Sequence, residues 1–317
     1  MIRLATRSSA LAKAQASQVA ELLGGAELVE VSSDGEPGDK ARFVRGVERA
    51  LLDGGAEIGV HSAKDVPAEM PEGLTIAAVP AREDPADVWI GAGASLEEVP
   101  EGARVGTASL RRRAQLLAAR PDLQVSELHG NVDTRLRRLA EGELDAIVLA
   151  AAGLRRLDQE GEASFALPAE AMTPAAGQGA LVLQTRASDA ESTAAAATIG
   201  DETALRELTA ERAVVALLEA DCTTPIGVHA GVAAPTLGQP RTRRNAGDAV
   251  PDGDVGNARP LVVEAFVGLP DGSEWIRDRV EGDAAEPAAA GALLAERLLG
   301  AGAREILDRA GNWSAHA

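Results

Sequence analysis

Over the first 170 positions, short apolar runs alternate with stretches whose apolar residues recur every three to four positions. "IRLA" (2–5) predicts a strand, followed by a helix that opens at Ser9. "AELVEV" (26–31) predicts a second strand, then a polar Gly/Asp loop and the helix "FVRGVERALL" (43–52). "AEIGVH" (56–61) and "DAIVLAA" (145–151) are continuous apolar runs, short enough to be strands buried on both faces. Between them, "ARVGT" (103–107) leads into "LRRRAQLLAAR", where Leu110, Ala114, Leu117 and Ala118 share one helical face, and "QVSEL" leads into the helix around "TRLRRLAEG". Strands alternating with helices in this way predict parallel sheets covered by helices, an α/β fold. Segments 54–63 and 142–151 each place an acid-flanked apolar strand after a charged helix, a weak echo that suits two similar lobes.

Past position 200 the pattern changes. Asp201 is placed as the N-cap of a helix reaching Ala220. "AGVAAP", "LVVEAFVGL" and "SEWIRDRV" then alternate as antiparallel strands do, and two Ala/Leu-rich helices near 284–299 and 302–310 close the chain. This region is expected to be a separate small α+β domain. The polar, Pro- and Gly-rich stretch 235–260 reads as an inserted mobile loop, and no role is assigned to it.

Composition bounds the function. A chain of 317 residues has room for two or three domains, and with 2% aromatics its cores must rest on Leu, Val, Ile and Ala. The formal net charge is −18, and only Lys13, Lys40 and Lys64 among the 31 basic residues are lysines. Such an acid-rich, lysine-poor surface is strongly solvated; salt-adapted and GC-rich sources both produce it. It repels a phosphate backbone, so no nucleic-acid partner is expected. The single cysteine, Cys222, excludes an intrachain disulfide and fits a reducing cytoplasm. No signal-peptide pattern opens the chain, and no run approaches the roughly 18 apolar residues of a membrane span. His61, His129, His229 and His316 show no metal-ligand spacing, so no metal is expected.

The placement of charge supplies the chemistry. Helix N-termini carry partial positive charge, so arginine there is unfavourable unless an anion lies nearby. Three strand-to-helix junctions break this rule: Arg7 before the helix opened by Ser8 or Ser9; Arg111, Arg112 and Arg113 after Ser109; and Arg135, Arg137 and Arg138 after Asn131 or Asp133. Such junctions lie at the carboxyl edge of an α/β sheet, where ligands bind. They point to a cleft for an anion with several carboxylates, which the planar Arg fork grips in pairs of hydrogen bonds. The competing reading pairs these arginines with solvent or with the chain's own acids. In "GVHSAKDVPAEMP", Lys64 and Asp65 follow a buried strand at the same edge. Among arginines, that carboxylate is expected to stay ionised, and it is placed to stabilise a developing cation or exchange a proton. A turn-forming Asp before Pro67 fits the local sequence as well. Cys222 read by itself is a small buried hydrophobe.

In order along the chain, "IRLATRSSALA", "HSAKDVP", "GTASLRRR", "GNVDTRL", "AAGQGAL", "CTTPIG" and "AGAREIL" resemble the motifs of the porphobilinogen deaminases, or hydroxymethylbilane synthases, from residue 2 to about 310. The resemblance implies two α/β lobes like those of periplasmic binding proteins, facing across a cleft and crossed twice by the chain, plus a small C-terminal α+β domain. The corresponding division is 1–80 with 180–197, 86–173, and 202–317. It implies a transferase that condenses four porphobilinogen molecules head to tail with loss of ammonia, after which water releases the linear tetrapyrrole. The growing chain is primed by a dipyrromethane cofactor held through a thioether, by motif, to Cys222. A helix C-terminus and Asp221 both disfavour a thiolate, which suits an anchor that reacts once. Asp65 matches the catalytic aspartate. Arg7, Ser9, Lys64, Thr107, Ser109, Arg111, Arg112, Arg135 and Arg156 match positions that hold cofactor or substrate carboxylates, and Gln178 matches a residue near the crossing of the lobes. The family usually works as a monomer.

The chain departs from the family pattern at Ala108, in place of a second serine, and at His129, in place of an arginine before "GN". Its loop at 31–43 is shorter than the usual lid, although Lys40 and Phe43 still align with the lid's end. Two further readings compete. A non-catalytic two-lobed binding protein for a polycarboxylate would need the arginines but neither Asp65 nor Cys222. A thiol-dependent hydrolase or transferase would need a histidine paired with Cys222, and His229 stands seven residues away with no third group to orient it.

Overall fold

The computed structural model describes residues 1–32, 42–220, 224–232 and 260–313. Cys222, the core of the short 31–43 loop with Lys40, and the 235–260 insertion up to residue 259 lie outside the described residues.

The chain begins with β1 (Arg3–Arg7), α1 (Ala10–Leu22), β2 (Glu27–Val31), α2 (Arg42–Leu52), β3 (Ile58–Ser62) and β4 (Leu74–Ala78). It then crosses over and continues with β5 (Asp87–Gly91), β6 (Arg104–Gly106), α3 (Leu110–Ala119), β7 (Gln124–Ser126), α4 (Val132–Ala140), β8 (Ala146–Ala150), α5 (Ala151–Arg155) and β9 (Phe165–Ala166). A second crossover returns it to β10 (Leu181–Arg186) and α6 (Ala190–Ala197). Last come α7 (Glu202–Leu217), β11 (Ile226–Val232), β12 (Leu261–Gly268), β13 (Trp275–Gly282), α8 (Pro287–Gly300) and α9 (Ala303–Gly311).

Two five-stranded sheets share one plan. The first runs β2-β1-β3-β10-β4 and the second β7-β6-β8-β5-β9. In each, a βαβαβ unit forms a parallel trio, with β1 flanked by β2 and β3 and β6 flanked by β7 and β8. The echo between 54–63 and 142–151 falls on β3 and β8, which hold equivalent places. The expected parallel pairing holds within each trio and needs correction at two strands. β10 runs antiparallel to β3 and β4, and β5 runs antiparallel to β8 and β9. The reason is connectivity: each antiparallel strand follows a crossover from the other sheet, so it enters from the opposite end.

Burial follows the pattern. β8 is buried at all five positions and β3 at four of five, as strands covered on both faces require. In the first sheet Leu4, Ile58 and Leu183 pack with Ala16 and Val19 of α1, while Ala5 on the other face packs with Val47 and Leu51 of α2. In the second, Trp89 is fully buried and stacks on Phe165, with ring centroids 6.0 Å apart. The third unit is the antiparallel meander β11-β12-β13, closed by α7, α8 and α9 around an aliphatic core of Val, Leu, Ile and Ala. As the sequence predicts, Asp201 caps α7: its side chain accepts from the Ala204 N–H at 2.8 Å.

Candidate functional site between the two sheets

The ends of β1, β3 and β8, the N-termini of α3 and α4, and the second crossover open on one cleft of about 230 Å³. Each strand end delivers a functional side chain. Arg7 ends β1, and Ser9 caps α1, accepting from the Ala12 N–H at 3.3 Å. β3 ends in a 3-10 turn, Ala63–Asp65, which carries Lys64 and Asp65. The first turn of α3 brings Arg112, that of α4 brings Arg135, and the chain after α5 brings Arg156. Five cations therefore border the cleft with two carboxylates, Asp65 and Asp133. Asp65 stands 3.8 Å from Arg7. Gln15 and Ser62, hydrogen-bonded at 2.8 Å, line it too, as do the apolar Leu11, Leu149, Ala152 and Leu157.

This crowding shows in the titration of the cations. Burial, and then the charge of Arg112, lowers Lys64 to about 8, although part of its side chain reaches solvent. The same two causes bring Arg135 to about 10. Burial lowers Arg156 also, with Glu83 opposing. Protein acceptors satisfy only part of these groups. Arg135 Nε donates to the Gly130 carbonyl at 2.9 Å, and Arg156 Nη2 to the Gly179 carbonyl at 2.7 Å, but Arg156 Nε is buried with no partner. Positive charge held away from water and only partly paired is a site built for anions.

The other candidate residues stand behind this lining. Thr107 Oγ1 accepts from the Ser109 N–H at 3.1 Å, and Ser109 caps α3 through the Arg112 N–H at 3.4 Å. Both order the helix start and do not border the cleft. Arg111 is buried against Asp87 at 2.6 Å and the Thr173 carbonyl at 2.8 Å. Gln178 is buried at the second crossover, where it contacts Lys64, Pro85 and Asp87. Arg113 turns to the Val125 carbonyl. Arg137 and Arg138 leave the cleft altogether and pair with Glu141 at 3.0 Å and Glu143 at 2.7 Å, so there the reading that pairs arginines with the chain's own acids holds. His129 is exposed beside Glu127 and is not part of the lining. Sequence reasoning missed Asp87. It heads an apolar run and looks like its neighbours Glu83 and Asp84, and only the three-dimensional arrangement sets it against two arginines.

Fold and site together define a two-lobed α/β protein with a cationic interlobe cleft, bordered by five cations and the carboxylates of Asp65 and Asp133. Residues 2–194 match the family model described as porphobilinogen deaminase, dipyromethane cofactor binding domain, and residues 205–300 match the porphobilinogen deaminase C-terminal domain. A porphobilinogen deaminase of Brevibacillus brevis is 40% identical over 321 residues, 96% of each chain, and one of Syntrophus aciditrophicus is 40% identical over 97% of this chain and 98% of its own. The chain belongs to the porphobilinogen deaminase family, transferases of tetrapyrrole synthesis. Looser likenesses include a putative methionine-binding lipoprotein of Bacillus subtilis (14% identity, 62% of this chain and 89% of that one, TM-score 0.40). Another is a periplasmic sulfonate-binding protein of Methylobacillus flagellatus (13% identity, 62% and 66%, TM-score 0.39).

The residues present fit the dipyrromethane cofactor. Its acetate and propionate groups need several cationic donors, which the five cations provide, Arg156 with an Nε that has no partner, and its rings need the apolar surface of Leu11, Leu149, Ala152 and Leu157.

Proposed function

We propose that this cleft is where the chain joins four porphobilinogen molecules head to tail, with loss of ammonia at each step, and releases the linear tetrapyrrole by hydrolysis. The observation that carries the site assignment is the convergence of Arg7, Lys64, Arg112, Arg135 and Arg156 around Asp65 from both sheets. In this reading Arg7, Ser9, Lys64, Arg112, Arg135 and Arg156 bind the carboxylates of cofactor and substrate. Thr107, Ser109, Arg111 and Gln178 hold that set in place. Bound through Cys222, the dipyrromethane supplies the electron-rich pyrrole end at which the chain is extended. Asp65 is the catalytic residue. Its carboxylate faces the substrate ring as ammonia leaves and positive charge develops there, and stabilises that charge. Arg7, at 3.8 Å, keeps it aimed at the cleft. The apolar wall keeps water from the substrate until release.

We also propose the three-part division 1–80 with 180–197, 86–173 and 202–317, which the placement of one sheet in each part supports. We further propose that the protein is a cytoplasmic monomer with no nucleic-acid partner. A net charge of −18 supports the last point. No helix among the described residues is long and apolar enough to cross a membrane.

Denaturing intact-mass measurement is the direct test. The purified chain is expected to carry a covalent dipyrromethane excess that disappears in Cys222→Ser, and Asp65→Ala is expected to fold yet lose turnover by about a thousandfold. Near-normal tetrapyrrole formation by Asp65→Ala would remove its catalytic role. A folded chain that binds polycarboxylates with no mass excess and no turnover would leave the binding-protein reading.

A further inference from the structure

Arg111 and Arg112 are adjacent in the first turn of α3, both buried, at a helix end that is itself partially positive. Two buried guanidinium groups there need a counter-charge, and Asp87, fully buried, provides it to both. Its Oδ2 accepts from Arg111 Nη1 at 2.6 Å, and its Oδ1 from Arg112 Nη2 at 2.7 Å and Nε at 3.1 Å. This holds the side edge of the Arg112 guanidinium, while Nη1 is fixed on the Val148 carbonyl at 2.8 Å. The same Oδ1 accepts from Gln178 Nε2 at 2.9 Å, and the other Nε2 proton goes to the Pro85 carbonyl at 2.6 Å. With both amide protons committed, Gln178 Oε1 turns to Lys64 Nζ at 3.4 Å. Asp87 heads β5 where the first crossover enters the second sheet, Gln178 lies on the second crossover, and Lys64 lies in the 3-10 turn after β3 of the first sheet. One carboxylate thus reaches cations on both sides of the cleft without bordering it.

We propose that Asp87 is a positioning residue for this reaction: it fixes, from beneath the cleft, the planes in which Arg112 and, through Gln178, Lys64 present their donors to the carboxylates of porphobilinogen. The inference rests on the functional reading above. The competing view is that Asp87 only neutralises buried charge and supports the fold. A positioning role acts through Arg112, so its effects on substrate binding and those of Arg112 are not independent.

A double-mutant cycle separates the two views. Asp87→Asn, Arg112→Lys and the double variant are compared on KM and kcat for porphobilinogen, on melting temperature, and on covalent dipyrromethane load by denaturing mass. Asp87→Asn keeps the shape and removes the charge; it is expected to raise KM about tenfold while kcat stays within about threefold, per loaded molecule. Adding it to Arg112→Lys is expected to change KM by no more than about twofold. If Asp87→Asn does not fold, the cycle is run with Asp87→Glu, which keeps the buried charge and shifts it by one methylene; the same non-additive rise in KM is expected. Unchanged KM with a lower melting temperature, or KM effects that simply multiply, overturns the proposal. Absence of porphobilinogen consumption by the unsubstituted chain overturns the functional reading and this inference with it, an outcome distinct from normal turnover with a multiplicative cycle.

Discussion

Lys64 and His61 are three positions apart on one strand end, yet burial puts their titrations to different uses. Lys64 is lowered from its ordinary value to about 8 by burial and then by Arg112. In the proposed function its ammonium holds a substrate carboxylate below about 8, and the neutral amine above it does not. The value of kcat/KM for porphobilinogen is therefore expected to fall as pH rises through about 8, and in Lys64→Arg this alkaline limb should move out of the measurable range. A pH–rate profile identical in both proteins would detach Lys64 from substrate binding. His61, by contrast, is buried in β3 with Nε2 2.9 Å from Gln184 Oε1, and burial lowers it to about 4. The folded form resists protonation between about 4 and the unfolded value near 6.5, so the unfolded chain binds more protons there and stability falls as pH drops through that window. The loss should approach about 3 kcal/mol at the acid end. Denaturant titrations at pH 7 and pH 4.5 should show a gap that shrinks in His61→Asn.

The elements that matter most to the cleft are the two crossovers, because they tie the sheets together at its base. Arg82 Nε of the first donates to the Gln178 carbonyl of the second at 3.0 Å, and the Glu83 N–H donates to the Gly179 carbonyl at 3.3 Å. From the second sheet, Arg155 pairs with Glu83 and Arg156 Nη2 holds the Gly179 carbonyl. Gly179 has φ +87°, and a Cβ there would press on the Glu83 carbonyl oxygen. Gly179→Ala must therefore strain its own backbone or part the crossovers, at a cost of order 1–3 kcal/mol. A lower melting temperature and a raised KM for porphobilinogen are expected together; a variant that melts normally would show that the crossovers separate freely. α7 extends the clasp to the third unit. Its fully buried Glu211 accepts from Arg82 Nη1 at 2.7 Å, from the Gly177 N–H at 2.5 Å and from the Ala230 N–H at 2.8 Å. Burial would raise this carboxyl, but Arg82 and His229 hold it below the ordinary range.

At the scale of the molecule, a net charge of −18 surrounds a cleft bordered by five cations and two carboxylates. Salt acts on the two in opposite directions. Screening relieves the self-repulsion of the acidic surface and weakens the attraction between the cleft and a polycarboxylate. Raising NaCl from about 0.1 M to about 1 M is expected to increase the melting temperature while also increasing KM for porphobilinogen. A melting temperature that is flat or falling across that range would mean that the surface acids are already paired.

Periodicity and capping determined most of the architecture from the chain alone. Ser9, Ser109 and Asp201 start their helices where the sequence places them, and the βα alternation and the change to antiparallel strands past residue 225 are both local patterns. The cationic lining was legible for a related reason: arginine at a helix start violates a local electrostatic rule, and the violation is visible without any coordinates. The rest depended on contacts between residues far apart in sequence. Whether a strand runs parallel or antiparallel depends on the end from which the chain enters the sheet, which β5 and β10 do not encode. Which arginines face the cleft depends on partners as distant as Asp87 for Arg111 and Arg112, and as near as Glu141 and Glu143 for Arg137 and Arg138. Charge pairing is decided by distance in space, and only the folded chain brings Asp87, Gln178 and Lys64 within reach of one another.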